Sequence, residues 1–143
     1  MTAVATTGRR LAPVGVVAGA VIAAVVVNVV VHFVGAAAGA TYDFTSPTGP
    51  AHVDQVTVAG FTAVPLAAGM TVTALLARRW RWVVPVGLVV APLLALGSIR
   101  PMPLAADLDT ASTVALATAH VVVGAFAVVG LLALRASAVR ELP

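Results

Sequence analysis

Residues 11–34 read LAPVGVVAGAVIAAVVVNVVVHFV and contain no charged side chain. A bilayer core about 30 Å thick requires about 20 apolar residues in a helix, so this segment is long enough to cross it. Four segments share this character: Leu11–Val34, Val56–Ala77, Val83–Ile99 and Ala111–Leu134. Their apolar runs are continuous rather than alternating, which favours helices over the strands of a membrane barrel. The sequence therefore predicts an all-α fold, a transmembrane bundle of four helices.

The composition excludes a soluble globular domain. Hydrophobic residues make up 61% of the 143 residues and charged residues 9%, whereas soluble domains have about 45–50% and about 25%. A soluble protein of this length cannot bury so much apolar surface. No repeat or change of composition divides the chain, so residues 1–143 are expected to form a single transmembrane domain.

The residue types also limit the chemistry and the partners. The chain has no cysteine, which excludes thiolate metal sites, iron–sulfur clusters and cysteine nucleophiles. Its net charge is +3, but the arginines lie at the ends of apolar runs rather than in one basic patch, so no nucleic-acid partner is expected. The lipid bilayer is the partner that the composition implies.

The arginines indicate an orientation. Seven of the eight basic residues would lie on one side of the membrane: Arg9, Arg10, Arg78, Arg79, Arg81, Arg135 and Arg140. The other side would hold Arg100 and several aspartates. Because arginine-rich flanks stay in the cytoplasm, both termini are expected to be cytoplasmic, in the plasma membrane of a bacterium.

The predicted outer side carries the longest connection, Gly39–Gln55. We expect it to be a floppy loop, with a lid over the outer mouth as the alternative. Its aromatic residue Tyr42 suits the membrane interface. Asp107 or Asp109 is expected to cap the fourth helix, because a carboxylate stabilises the positive end of a helix.

Polar residues inside the predicted helices are few, and such residues mark candidate functional sites because burying them in a membrane is costly. We expect them to line one cavity that opens outward, with the two aspartates Asp107 and Asp109 at its mouth. The expected lining residues are Asn28, His32, Thr113 and His120.

Several interpretations of these residues stay open. The histidines can be neutral and hydrogen-bonded to neighbours, fixing the helix register, or they can bind a lipid-like small molecule. A haem or metal ion bound by the histidines is an alternative, although the sequence contains no typical metal-ligand spacing and indicates no particular cofactor. In an enzyme of isomerase or cyclase type, His120 and His32 would transfer protons, and Asp107 or Asp109 would orient a lipid or isoprenoid-like substrate. A proton relay is a further alternative.

The favoured function is non-enzymatic: an accessory or scaffold subunit, or a binder of a lipid-like molecule. Gly15 and Gly19 form a GxxxG pair, which membrane helices use for close packing. A homo-oligomer or another membrane protein is therefore a further expected partner.

The pattern resembles small four-span actinobacterial membrane proteins of a domain-of-unknown-function family. The resemblance covers nearly the whole chain. It rests on the end of the first segment, the arginine-rich turn Arg78–Arg81, the proline-containing outer loop, and polar residues before a histidine in the fourth segment. The matching single residues are Asn28, His32, Phe33, Asp107, Thr110 and His120. It implies a four-span topology and no particular activity.

Overall fold

Four helices are present in the described residues, and they form where the sequence has long apolar runs, because a backbone in lipid must satisfy its own hydrogen bonds. They are α1 (Pro13–Ala37), α2 (Gln55–Ala77), α3 (Val83–Gly97) and α4 (Thr110–Val139). The computed structural model describes residues 13–100 and 106–139, and it is 76% helical. Three of these helices, α1, α2 and α4, are long and apolar enough to cross a membrane. The predicted all-α fold is confirmed.

The helix bounds differ from the predicted ones mainly in α3 and α4. α3 has 15 residues and ends at Gly97 rather than at Ile99. At about 1.5 Å per residue its length is about 22 Å, less than the thickness of a bilayer core. α4 continues five residues beyond the predicted end at Leu134, to Val139. The predicted start of the first segment, Leu11, lies outside the described residues.

The connection between α1 and α2 contains an antiparallel hairpin, so the expectation of a floppy loop is wrong there. Its strands are β1 (Asp43–Ser46) and β2 (Gly49–His52). Asp43 pairs with His52, and Ser46 pairs with Gly49 across a two-residue turn. Gly49 has φ +124°, a backbone conformation that glycine adopts readily. An isolated hairpin is only marginally stable, so contacts with the rest of the chain must hold this one.

α1 packs against both α2 and α4. α3 packs mainly on α4. The apolar core between the helices consists of Ala24, Leu66, Met70, Ala127, Leu131 and Leu134. Large apolar side chains also cover the outside, including Phe61, which is 79% exposed. Such a surface suits contact with lipid.

The chain order places two different groups of residues at the two ends of the helices. The hairpin end contains the hairpin, the start of α2 and the start of α4. The arginine end contains the turn between α2 and α3, with Arg78, Arg79 and Arg81, and the last turns of α4, with Arg135. The polar side chains described next lie at the hairpin end or in the adjoining helix turns.

Candidate functional site

Asp109 joins the start of α4 to the segment that precedes the hairpin. Its Oδ1 accepts the backbone N–H of Ser112 at 2.8 Å, which is the hydrogen bond of a helix N-cap. Its Oδ2 accepts the hydroxyl of Thr41 at 2.8 Å and the backbone N–H of Thr41 at 3.1 Å. The predicted capping role is therefore confirmed for Asp109, and the same carboxylate also holds residue 41 in place.

Asp107 makes a second connection to the hairpin. Its carboxylate accepts the backbone N–H of Thr45 at 2.6 Å and the hydroxyl of Thr45 at 2.9 Å. Within the hairpin, His52 Nδ1 lies 2.7 Å from Asp43 Oδ1. The two aspartates expected at the mouth of a cavity thus hold the hairpin against the start of α4.

Tyr42 is the central residue of this end, and the sequence did not predict that role. It is 2% exposed, so it lies inside the protein rather than at the membrane interface as expected. Its hydroxyl donates to the carbonyl oxygen of His32 at 2.8 Å, and its backbone N–H donates to the hydroxyl oxygen of Ser112 at 2.9 Å. Its ring stacks on the His32 ring, with centroids 4.2 Å apart.

The backbone of Tyr42 is strained. Its φ of 59° lies in the left-handed region, where a bulky residue is rarely found. Such a conformation persists only when the surroundings hold it in place. Here the hydrogen bonds to His32 and Ser112 and the ring stacking supply that constraint.

At the hairpin end, hydrogen bonding lowers the pKa values of two carboxylates, and burial raises the pKa of a tyrosine hydroxyl. Hydrogen bonds from Ser112 and then Thr41 hold the pKa of Asp109 well below its ordinary value. Hydrogen bonds from Thr45 lower the pKa of Asp107 in the same way. Burial, with a smaller effect of the Asp109 charge, raises the pKa of the Tyr42 hydroxyl. At neutral pH both carboxylates are charged acceptors and Tyr42 is a neutral donor.

Acid is expected to loosen the hairpin. Because the folded pKa of Asp109 is depressed, its stabilising contribution is complete above the ordinary value of about 3.9 and is lost as pH falls through the folded pKa. Amide hydrogen exchange of residues 41–46, corrected for intrinsic rates, should be steady at neutral pH and rise below about pH 4. Asp109→Asn should give faster exchange already at neutral pH.

The matched control for this experiment is Asp54→Asn. Asp54 caps α2 by accepting the backbone N–H of Thr57 at 2.7 Å, and its pKa is also lowered. Within the described part of the chain its side chain forms no hydrogen bond with residues 41–46, so exchange in that segment should stay near the wild-type rate. Equal acceleration in both variants would show that Asp109 does not specifically hold the hairpin.

Asn28 ties three helices together inside the protein. Its Nδ2 donates to the hydroxyl oxygen of Thr62 on α2 at 2.8 Å and to the carbonyl oxygen of Ala119 on α4 at 3.2 Å. His32 lies one turn further along α1, on the same buried face. Thr62 was not among the predicted site residues, although it lies at helical spacing from Pro65, Gly69 and Thr73, a stripe that indicates a packing face.

His120 and Thr113 follow a different face of α4 from the one that contacts Asn28. His120 Nδ1 lies 2.7 Å from the carbonyl oxygen of Leu116 in its own helix, so Nδ1 carries the proton in this bond. Gly124, one turn further, packs against Pro92 and Ala95 of α3. Gly124, on the same stripe as Thr113 and His120, faces α3. Asn28 instead contacts α2 and α4, and His32 packs on Tyr42.

Of the four candidate catalytic residues, the structure links His32 and Asp109. The link runs from His32 through the stacked Tyr42 to Ser112 and from there to Asp109. Asp107 is bonded to Thr45 of the hairpin. Among the described residues, no group of three His, Asp or Glu side chains is arranged to hold a metal ion.

An apolar groove of about 580 Å³ runs between α1 and α4 near the hairpin end. Small residues form its floor, where Gly35 and Ala115 bring the two helices close together. The walls come from larger side chains, and two threonines contribute hydroxyl groups. Its lining includes Val30, Val34, Gly35, Thr110, Val114 and Thr118.

Comparison with known proteins places the chain in one family. No curated protein and no solved structure matches it. A family model described as "Family of unknown function" matches residues 6–138, nearly the whole chain. This confirms the resemblance to a domain-of-unknown-function family, and the chain belongs to the family DUF6069.

Proposed function

We propose that this protein is a non-enzymatic multi-pass protein of the bacterial plasma membrane that binds one lipid-like molecule. The observation that carries the proposal is the apolar groove between α1 and α4. Its volume of about 580 Å³ falls within the range of about 300–1,000 Å³ typical of small-molecule sites. The whole chain acts as one transmembrane domain in this proposal.

The occupant we infer is a hydrocarbon chain of a membrane lipid or a similar apolar molecule. The groove lies along two helices that are apolar enough to cross a membrane, and its walls include the exposed Val30, Val34 and Val114. An apolar lining with few polar groups favours a hydrocarbon over a charged ligand. Thr110 and Thr118 contribute hydroxyl groups to the lining, and the Thr118 hydroxyl donates to the carbonyl oxygen of Val114 in its own helix at 2.8 Å.

Filling the groove tests the proposal. Thr118→Trp places an indole in the groove, and it should lower the fraction of protein that carries a bound lipid mass at least about tenfold, equivalent to about 1.4 kcal/mol of affinity. The measurement is native mass spectrometry of protein released gently from its own membrane.

Thr71→Trp is the matched control, because Thr71 is an exposed threonine on the spanning helix α2. It should leave the lipid adduct unchanged. Equal adducts in all three proteins, or no adduct in the wild type, would refute binding in the groove. A wild-type dimer that Thr118→Trp dissociates would assign the groove to a second copy of the chain instead.

The orientation we propose puts the arginine end in the cytoplasm and the hairpin end outside. Arg78, Arg79, Arg81 and Arg135 lie at one end of the helices, in agreement with the rule that basic flanks stay inside. Since the chain has no cysteine, single cysteines report on sidedness directly. Thr48→Cys should react with an impermeant maleimide on intact cells, and Ala136→Cys should react only after lysis. The reverse pattern would overturn the orientation.

The acid–base alternative has less support from the contacts. It needs Asp107 or Asp109 to act on a substrate, but both carboxylates accept hydrogen bonds that hold the hairpin. It also needs His120 and His32 to face one substrate, and the His120 stripe runs toward α3. The non-enzymatic proposal requires neither free carboxylates nor two histidines that face one substrate.

A further inference from the structure

Two buried polar atoms on α1 have no hydrogen-bond partner within the described part of the chain. They are Oδ1 of Asn28 and Nδ1 of His32. Asn28 is 1% exposed and His32 is 7% exposed. The two residues are four positions apart, so their side chains lie on the same face of the helix, one turn from each other. Buried polar atoms in folded proteins nearly always have a hydrogen-bond partner. This pair of atoms therefore marks a place where a hydrogen-bonding molecule binds.

The orientation of the Asn28 amide is set by its neighbours. Both hydrogens of Nδ2 are used, one by the hydroxyl oxygen of Thr62 and one by the carbonyl oxygen of Ala119. Turning the amide over would point Oδ1 at the Ala119 carbonyl oxygen, and two acceptors would then face each other. Oδ1 of Asn28 therefore accepts a hydrogen bond, and its partner must be a donor.

The His32 ring is also held in place. It stacks on the Tyr42 ring at an interplanar angle of 25° and meets the Phe33 ring edge-on at 5.8 Å. Tyr42 is fixed in turn by its hydrogen bond to the His32 carbonyl oxygen. The stack fixes the plane of the His32 ring, and Nδ1 lies buried in that plane. A neutral histidine presents either a donor or an acceptor at Nδ1, according to its tautomer.

We propose that Asn28 and His32 bind one hydroxyl group, from a water molecule or from a membrane-soluble alcohol. The hydroxyl donates its hydrogen to Oδ1 of Asn28 and accepts the Nδ1–H of His32, so one O–H group satisfies both atoms. A metal ion would need more ligands than these two side chains supply.

This site is separate from the groove proposed for lipid. The groove residues Val30 and Val34 lie two positions from Asn28 and His32, which is about 200° around the helix. Neither Asn28 nor His32 lines the groove. The hydroxyl site therefore does not depend on the groove being occupied, and either proposal can fail alone.

The experiment is NMR of the full-length protein in micelles with ¹⁵N-labelled histidine. The chain has three histidines, so His52 and His120 serve as internal controls for His32. The probes are 1-dodecanol and, as its match without a hydroxyl, dodecane. The expected result is a protonated, hydrogen-bonded Nδ1 at His32. A cross-peak from that proton to water assigns the hydroxyl to water, and a saturable shift with dodecanol but not with dodecane assigns it to an alcohol.

Other results overturn the proposal. The proposal is wrong if Nδ1 of His32 is unprotonated and neither contacts water nor responds to dodecanol. It is also wrong if dodecanol and dodecane shift the His32 signals equally, because equal shifts report apolar contact only. The wild-type spectrum decides these outcomes without any substitution.

A variant tests the part of Asn28. Asn28→Leu removes the acceptor and should abolish the water cross-peak or the dodecanol shift, while the His120 signals stay unchanged. If that variant does not fold, Thr62→Val replaces it, since it releases one hydrogen bond that orients the amide. We expect dodecanol to shift His32 at an at least about tenfold higher concentration in Thr62→Val. An unchanged His32 response in the folded variant would contradict the proposal.

Discussion

Replacement of Gly35 by alanine is expected to lower the free energy of unfolding by about 2–3 kcal/mol. A Cβ at this position would lie 2.7 Å from the Cβ of Ala115 and closer still to the hydroxyl of Tyr42. Overpacking of this kind costs about 1–3 kcal/mol. Displacing Tyr42 also breaks its hydrogen bond to His32, for about 0.5–1.5 kcal/mol. The higher helix propensity of alanine returns up to about 1 kcal/mol.

Gly19→Ala is the matched control for this prediction. Gly19 lies in the same helix, and a Cβ there meets no atom within 4 Å. Its free energy of unfolding should stay unchanged or rise by up to about 1 kcal/mol. The measurement is unfolding in mixed micelles with increasing SDS. If Gly35→Ala and Gly19→Ala were equally stable, the close approach of α1 to Tyr42 and α4 would not contribute to stability.

Tyr42→Ala is expected to have the largest effect, a loss of about 3–5 kcal/mol, which is typical for removing a buried aromatic side chain. The substitution removes the stacking on His32 and leaves space below the hairpin. Tyr42→Phe keeps the ring and loses only the hydrogen bond to the His32 carbonyl oxygen, for about 0.5–1.5 kcal/mol. The ratio of the two losses separates packing from hydrogen bonding.

Tyr42→Gly tests whether backbone strain contributes. Glycine adopts the φ of 59° at little cost, whereas a residue with a Cβ pays about 1–2 kcal/mol in the left-handed region. We therefore expect Tyr42→Gly to be more stable than Tyr42→Ala although it removes more atoms. SDS unfolding gives the stabilities, and amide exchange of residues 43–52 reports whether the hairpin detaches. Slow exchange in Tyr42→Ala would show that Tyr42 does not hold the hairpin.

Local rules were enough for some features of the site. Asp107 or Asp109 was predicted to cap the fourth helix because both carboxylates precede the apolar run, and an N-cap depends only on residues within one turn. The structure assigns the cap to Asp109. Asn28 and His32 were selected because their positions one turn apart in an apolar helix put both on one face. Both inferences use helix geometry alone, without knowledge of which helices are neighbours.

The features that were missed depend on contacts between distant residues. Tyr42 was assigned to the membrane interface, but it is buried because Ser112, 70 positions away, accepts its N–H. The connection Gly39–Gln55 was predicted to be floppy, with a lid as the alternative, because the residue that fixes its hairpin, Asp107, is 62 positions from Thr45. Nothing near these residues in the sequence distinguishes them from an exposed aromatic residue and an irregular loop.

The sequence by itself determined that this protein consists of apolar helices, because lipid leaves the backbone no partner other than itself and the run lengths set the number of helices. It also determined which helix faces carry polar groups, through the helical repeat. The tertiary structure alone decided which of those faces meet. It placed Asn28 against Thr62 and Ala119 and turned the His120 stripe toward α3. The reason is that helix rotation in an apolar environment depends on close packing and a few hydrogen bonds between helices, which no single segment encodes.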